Sequence, residues 1–172
     1  MEQIPFINRL QTFACRNSVI RTDNFKIIKR NVSYRCPSDV CIMLSEKKDK
    51  RGNLCYPAGV KKGNSSRPDR SVSYKTISSV TDVDMENGDV FVTFTQDEKH
   101  AVNNEAKARR LKVSTNTVHE IQGKTVPFVK IVRLKAADDS VFTMTGHEIV
   151  ALSRHTVGAR YYSISKRLCE EI

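Results

Sequence analysis

Val72, Tyr74 and Thr76 alternate with polar residues, the two-residue period of a half-buried strand. Asn87-Gly88 marks a turn before Val90–Phe94, a short β-branched and aromatic run. Strand-like segments return around Lys112–Val118, Phe128–Leu134 and Tyr161–Ile164. Gln96–Arg110 is rich in helix formers and holds neither Gly nor Pro, so a helix is predicted there. A second is predicted over Gly146–Arg154, with Ile149, Val150 and Leu152 inward. A third runs from about Pro37 to Ser45, after a strand ending near Tyr34–Cys36. Pro37 suits a first helical turn because its missing N–H has no intrahelical partner there. Asp39 complements the N-terminal dipole, and Val40, Met43 and Leu44 share one face. Strands alternating with helices predict an α/β sandwich on a mostly parallel sheet.

Two stretches depart from that rhythm. Residues 1–30 mix apolar and basic positions, with Phe6, Ile7, Phe25, Ile27 and Ile28 expected to pack. Glu46–Arg70 is polar, basic and rich in Gly, Asn, Ser and Pro, as expected of a long surface loop. Its Lys and Arg side chains either touch a polyanion or are simply solvated.

A chain of 172 residues suits one domain. The formal charge of +10 favours a polyanionic partner, because Lys and Arg release counterions from phosphates. A merely soluble basic surface is the competing explanation. The five cysteines are odd in number and irregularly spaced, with no CxxC pair and no zinc-site spacing, so reduced structural thiols are expected, a metal site built on Cys36, Cys41 and Cys55 being the alternative. The opening MEQIPFINRL lacks the basic and apolar regions of a signal peptide, and no segment reaches the length of a membrane span.

Gly123-Lys124-Thr125 imitates the end of a P-loop. A P-loop also needs a Gly five residues before its second Gly, so that successive amides curl around phosphates; here that position is Val118. GxxxxGK[ST] occurs nowhere in the chain. Efficient ATP hydrolysis by the chain alone is therefore not expected.

Longer motifs account for that fragment. Thr117–Thr125 reads TVHEIQGKT, and Val150–Thr156 reads VALSRHT. They resemble motifs V and VI of the superfamily 1 RNA helicases carried by replicases of alphavirus-like plus-strand RNA viruses. Glu2–Arg9 resembles the end of motif III, Tyr34–Pro37 the arginine motif that opens the second lobe, and Val92–Lys99 motif IV. All five stand in the family's order, and they look most like replicases of the closterovirus kind.

The resemblance implies a RecA-like three-layer sandwich, helicase domain 2, without the P-loop lobe. Residues 1–30 would be the end of the first lobe and a linker, and 31–172 the second lobe. It implies that Arg35 and Arg154 are arginine fingers on the γ-phosphate, and that Gln3 reports on the same group. An arginine fork meets phosphate oxygens bidentately and stays charged. Gln122, Gly123 and Lys124 would complete the nucleotide contacts, although an ordinary turn also explains Gly123 and simple exposure also explains Lys124. Thr95, Gln96, Thr117 and His119 would hold the RNA backbone; turn capping is the alternative for Thr95 and Gln96, and packing for His119. His155 is expected to be packed or at the surface.

The implied activity is ATP-dependent RNA unwinding, with Mg²⁺ held mainly by the missing lobe. The implied partners are single-stranded RNA and its duplex junction, the P-loop lobe, and the capping and polymerase domains of a replicase. The implied location is the host cytoplasm, in membrane-associated replication complexes. A basic RNA-binding protein without motor function is the alternative.

Overall fold

The computed structural model describes residues 31–49, 51–135 and 145–164. The proposed first part, 1–30, lies outside them with Gln3 and its apolar positions, as do Lys50, Cys15, Cys169 and residues 136–139.

Strands β3 (Val72–Thr76), β4 (Val90–Thr93), β5 (Ser114–Thr117), β6 (Val126–Arg133) and β7 (His155–Ser163) form one sheet in the order β3-β7-β6-β4-β5. Every pairing in it is parallel. A small parallel pair, β1 (Val32–Ser33) with β2 (Lys61–Lys62), stands apart. Three α-helices, α1 (Ser38–Glu46), α2 (Gln96–Ala108) and α3 (Thr145–Leu152), and a short 3-10 helix at Val80–Asp82 complete the described fold.

A parallel sheet covered on both faces needs apolar residues at both parities of its central strands. On one face Val92, Val129, Ile131, Ala159 and Tyr161 meet Val150, Ala151 and Leu152 of α3. On the other, Phe91, Val132 and Tyr162 meet Val102 and Ala106 of α2. Helices on opposite faces make the predicted three-layer α/β sandwich. A third cluster joins Val40, Cys41 and Leu44 of α1 to Cys36, Tyr56 and Val60.

Several bounds differ from the periodicity. Pro37 is the N-cap of α1 rather than its first residue, and Cys41 joins Val40 and Leu44 in the buried stripe while Met43 is only partly covered. The helix before β7 stops at Leu152, short of Arg154, and β7 begins already at His155. The 46–70 stretch is not a plain surface loop: Tyr56 and Val60 are buried against α1, and β2 lies within it. No helix among the described residues is long and apolar enough to cross a membrane.

Candidate functional site

The connection from β5 to β6 organises the site. Parallel strands are ordinarily joined through a helix, but here residues 118–125 suffice. Ile121 N–H donates to Thr117 O at 3.0 Å and Lys124 N–H to Ile121 O at 3.0 Å, winding the segment into tight turns. Val118 and Ile121 are buried in the core beneath α3. The segment thus leaves the carboxyl end of β5 and delivers its last residues to the amino end of β6. Gly123 has φ +87°, and a Cβ there would meet nothing within 4 Å, so the backbone turn rather than crowding selects glycine.

At the amino ends of β6 and β7 both predicted arginines meet this turn. Arg35 Nη1 donates to Thr125 Oγ1 at 3.1 Å. Arg154 donates from Nε to Val150 O (2.9 Å), from Nη1 to Lys124 O (3.4 Å) and from Nη2 to Ser153 Oγ (2.8 Å). Arg154 is wholly buried, while Thr125, Lys124 and Gln122 are exposed. Burial lowers the Arg154 pKa, and the like charge of Arg35 lowers it further, to about 10. Burial also lowers that of Arg35. Arg154 therefore remains charged at neutral pH, and the two guanidinium groups lie near enough to repel one another. An anion placed between them would relieve that repulsion.

Local geometry explains how Arg35 arrives there. Cys36 N–H donates to Ser33 Oγ at 3.1 Å, turning the chain out of β1. Pro37 then starts α1, whose Ser38 N–H donates to Pro68 O at 3.1 Å. Lys124 points its ammonium to Asn116 Oδ1 at 3.2 Å; its carbonyl, not its charge, meets Arg154.

The residues expected on RNA gather at the opposite edge, beyond the carboxyl ends of β4 and β5. Thr95 caps α2, accepting from Glu98 N–H, and Glu98 answers through Thr95 N–H. Thr117 and Glu120 repeat the exchange: Glu120 Oε2 accepts from Thr117 N–H at 2.8 Å, and Thr117 Oγ1 from Glu120 N–H at 3.4 Å. Both are the reciprocal Thr-x-x-Glu box. The capping alternative for Thr95 is thus realised, and each hydroxyl keeps its own proton to donate. Gln96 is exposed and lies 3.5 Å from Glu120 Oε1. Lys99 donates to Glu120 Oε2 at 2.7 Å; that bond foremost, with the Thr117 amide, holds the Glu120 pKa at about 2. His119 is exposed rather than packed, with its Nε2 at 2.9 Å from Nε2 of His147 on α3.

Four participants were not legible in the chain: Thr125, Lys99, Glu120 and His147. Each gains its place through a contact across at least 21 sequence positions. A repeated Thr-x-x-Glu spacing was the one local signal available, and it points to Glu120.

His155 is packed, with Nε2 at 2.8 Å from Ser71 Oγ. Ser71 Oγ also donates to Asp39 Oδ1 at 2.8 Å. Nucleophilic catalysis would need the acid to orient the base. Here the carboxylate grips the serine instead, accepts from Val72 N–H at 2.9 Å, and so ties α1 to β3. Burial lowers the His155 pKa to about 4. The free cysteines among the described residues are Cys36, Cys41 and Cys55, and burial raises the Cys41 thiol to about 11.

The sequence profile of the viral superfamily 1 RNA helicase core domain matches residues 1–163. Replicase protein 1a of Grapevine leafroll-associated virus 3 (isolate United States/NY1) is 38% identical over 172 residues, covering 100% of this chain and 8% of that protein. Replicase polyprotein 1a of Lettuce infectious yellows virus (isolate United States/92) is 34% identical over 181 residues, covering 100% of this chain and 9% of its own length. The replicase large subunit of Tobacco mild green mosaic virus is 34% identical over 167 residues, 95% of this chain and 9% of that protein. The chain therefore spans less than a tenth of these relatives. Among solved structures, the Arterivirus nonstructural protein 10 helicase shares 18% identity over 83% of this chain and 27% of that one, with a TM-score of 0.49.

Proposed function

The chain belongs to the viral superfamily 1 RNA helicase core family, and from that premise we propose that it is the second RecA-like lobe of an ATP-dependent RNA helicase within a replication polyprotein. A first lobe carrying the P-loop binds ATP, with its Mg²⁺, and faces the amino ends of β6 and β7. Arg35 and Arg154 supply positive charge to the γ-phosphate, and Gln122, Gly123 and Lys124 form the turn beside it. Gln3 completes the nucleotide contacts from outside the described residues. Thr95, Gln96, Thr117 and His119 hold the RNA backbone at the opposite edge through hydroxyl, amide and imidazole groups that read no sequence.

One observation supports this reading above the others. Arg35 and Arg154, distant in sequence, both reach the Lys124–Thr125 turn. That turn is continuous through residues 118–125 with the predicted RNA contacts at Thr117 and His119. A shift of the turn when charge arrives at one end would move the other, which is the coupling a translocating motor needs. Arg154 is buried in this lobe, so its contribution is to fix the turn and raise the local potential, with direct contact following closure of the lobes. The polypeptide works in the host cytoplasm, within membrane-associated replication complexes and beside capping and polymerase domains.

The test uses the chain joined to its P-loop lobe. Arg35→Ala and Arg154→Ala should each lower ATP turnover by about 10³-fold or more and leave RNA affinity nearly unchanged. Equal loss of both activities would remove the finger assignment. The 172-residue chain by itself should bind RNA weakly and hydrolyse little ATP; ready turnover by it would overturn the division of labour.

A further inference from the structure

The contact between His119 and His147 joins two segments that the sequence motifs treat separately. His119 lies on the 118–125 crossover and His147 on α3, which leads to Arg154. Their Nε2 atoms are 2.9 Å apart, the ring planes are 89° to one another, and the centroids are 4.6 Å apart. A nitrogen–nitrogen hydrogen bond needs one ring to donate and the other to accept. The pair therefore contains at least one Nε2 without a proton whenever it is closed.

Among the described residues, charged neighbours of this edge are paired with one another or with polar groups. On the crossover, Glu120 is paired with Lys99 of α2, and Lys124 is bonded to Asn116. On α3, Glu148 is paired with Lys47, just beyond α1. At the start of α2, Asp97 is paired with Lys135, which follows β6. His119 is exposed and His147 partly so.

Resting on the proposed RNA role of this edge, we propose that His147 is a positioning residue for His119, and that the pair takes up a proton when the backbone phosphate of a bound RNA strand docks beside it. The first proton goes to the far nitrogen of the donor ring. It leaves the bond between the rings intact and makes it charge-assisted. The rings then offer a cation to phosphate without breaking the tie between the crossover and α3. A second proton would put donors on both facing nitrogens, and the contact would open. Grip on RNA and the position of the segment leading to Arg154 are thereby linked through one hydrogen bond.

Calorimetry of oligouridylate binding, run in buffers of different ionisation enthalpy near pH 7, tests this on the chain joined to its P-loop lobe. Wild type should take up a fraction of a proton, up to about one, on binding. His147→Gln should keep binding within about tenfold and lose that uptake, because glutamine can still bond to His119 but cannot titrate with it. His147→Ala should weaken binding further, so that glutamine gives partial rescue. Uptake unchanged in His147→Gln, or absent from wild type that binds normally, overturns the inference and leaves the RNA assignment standing. Absence of oligouridylate binding by wild type at any pH overturns the RNA assignment itself.

Discussion

His155 shows how far one residue's environment can depart from its appearance in the chain. It stands beside the motif arginine, yet it is buried against Ser71, and burial lowers its pKa from 6.5 to about 4. The unfolded chain binds a proton on this ring below about pH 6.5, whereas the folded chain does so only near pH 4. Stability is therefore full above the unfolded value and lost as pH falls through this window, by up to about 3 kcal/mol. Denaturant midpoints measured across the window should fall toward acid in wild type and fall less in His155→Gln. Parallel curves for the two proteins would refute the assignment. Arg154 makes the contrasting case. Its charge persists despite burial because three acceptors meet the guanidinium, and none of the three is predictable from the VALSRHT string alone.

At the scale of elements, α2 was legible almost to the residue because its start signal is local: Thr95 and Glu98 sit at capping-box spacing before a run of helix formers. Tertiary structure adds what Glu98 does besides. Its buried carboxylate accepts from Phe94 N–H (3.0 Å), Thr95 N–H (3.1 Å) and Leu134 N–H (2.8 Å), tying the end of β4 to the end of β6. Thr95→Ala should cost about 1 kcal/mol, the usual loss of an N-cap. Glu98→Ala strands three backbone donors and should cost distinctly more, about 2–4 kcal/mol. Equal losses in thermal or urea unfolding would mean that the carboxylate does no more than cap. The β5–β6 crossover was less legible. Its eventual turns carry little regular periodicity, and its course across the sheet is dictated by Val118 and Ile121 finding the core.

Across the whole molecule, charge and topology act together. The whole chain carries a formal +10, and the described residues put the predicted RNA contacts at one strand edge and the predicted nucleotide contacts at the other. RNA affinity of the whole chain should fall steeply, by about tenfold or more, between roughly 50 and 200 mM salt, as counterion release requires. Fluorescence anisotropy with a labelled oligonucleotide measures it; salt-insensitive binding would exclude phosphate as the main contact. By itself the sequence determined the α/β class, most of the order of helices and strands, and the helicase family. These rest on periodicity, capping spacings and contiguous motifs, all short-range features of a chain. Only the tertiary structure decided that every strand in the sheet is parallel, that Arg35 and Arg154 reach one turn, and that His119 faces His147. Such contacts join residues dozens of positions apart, and they are selected by which apolar faces bury one another rather than by any local pattern.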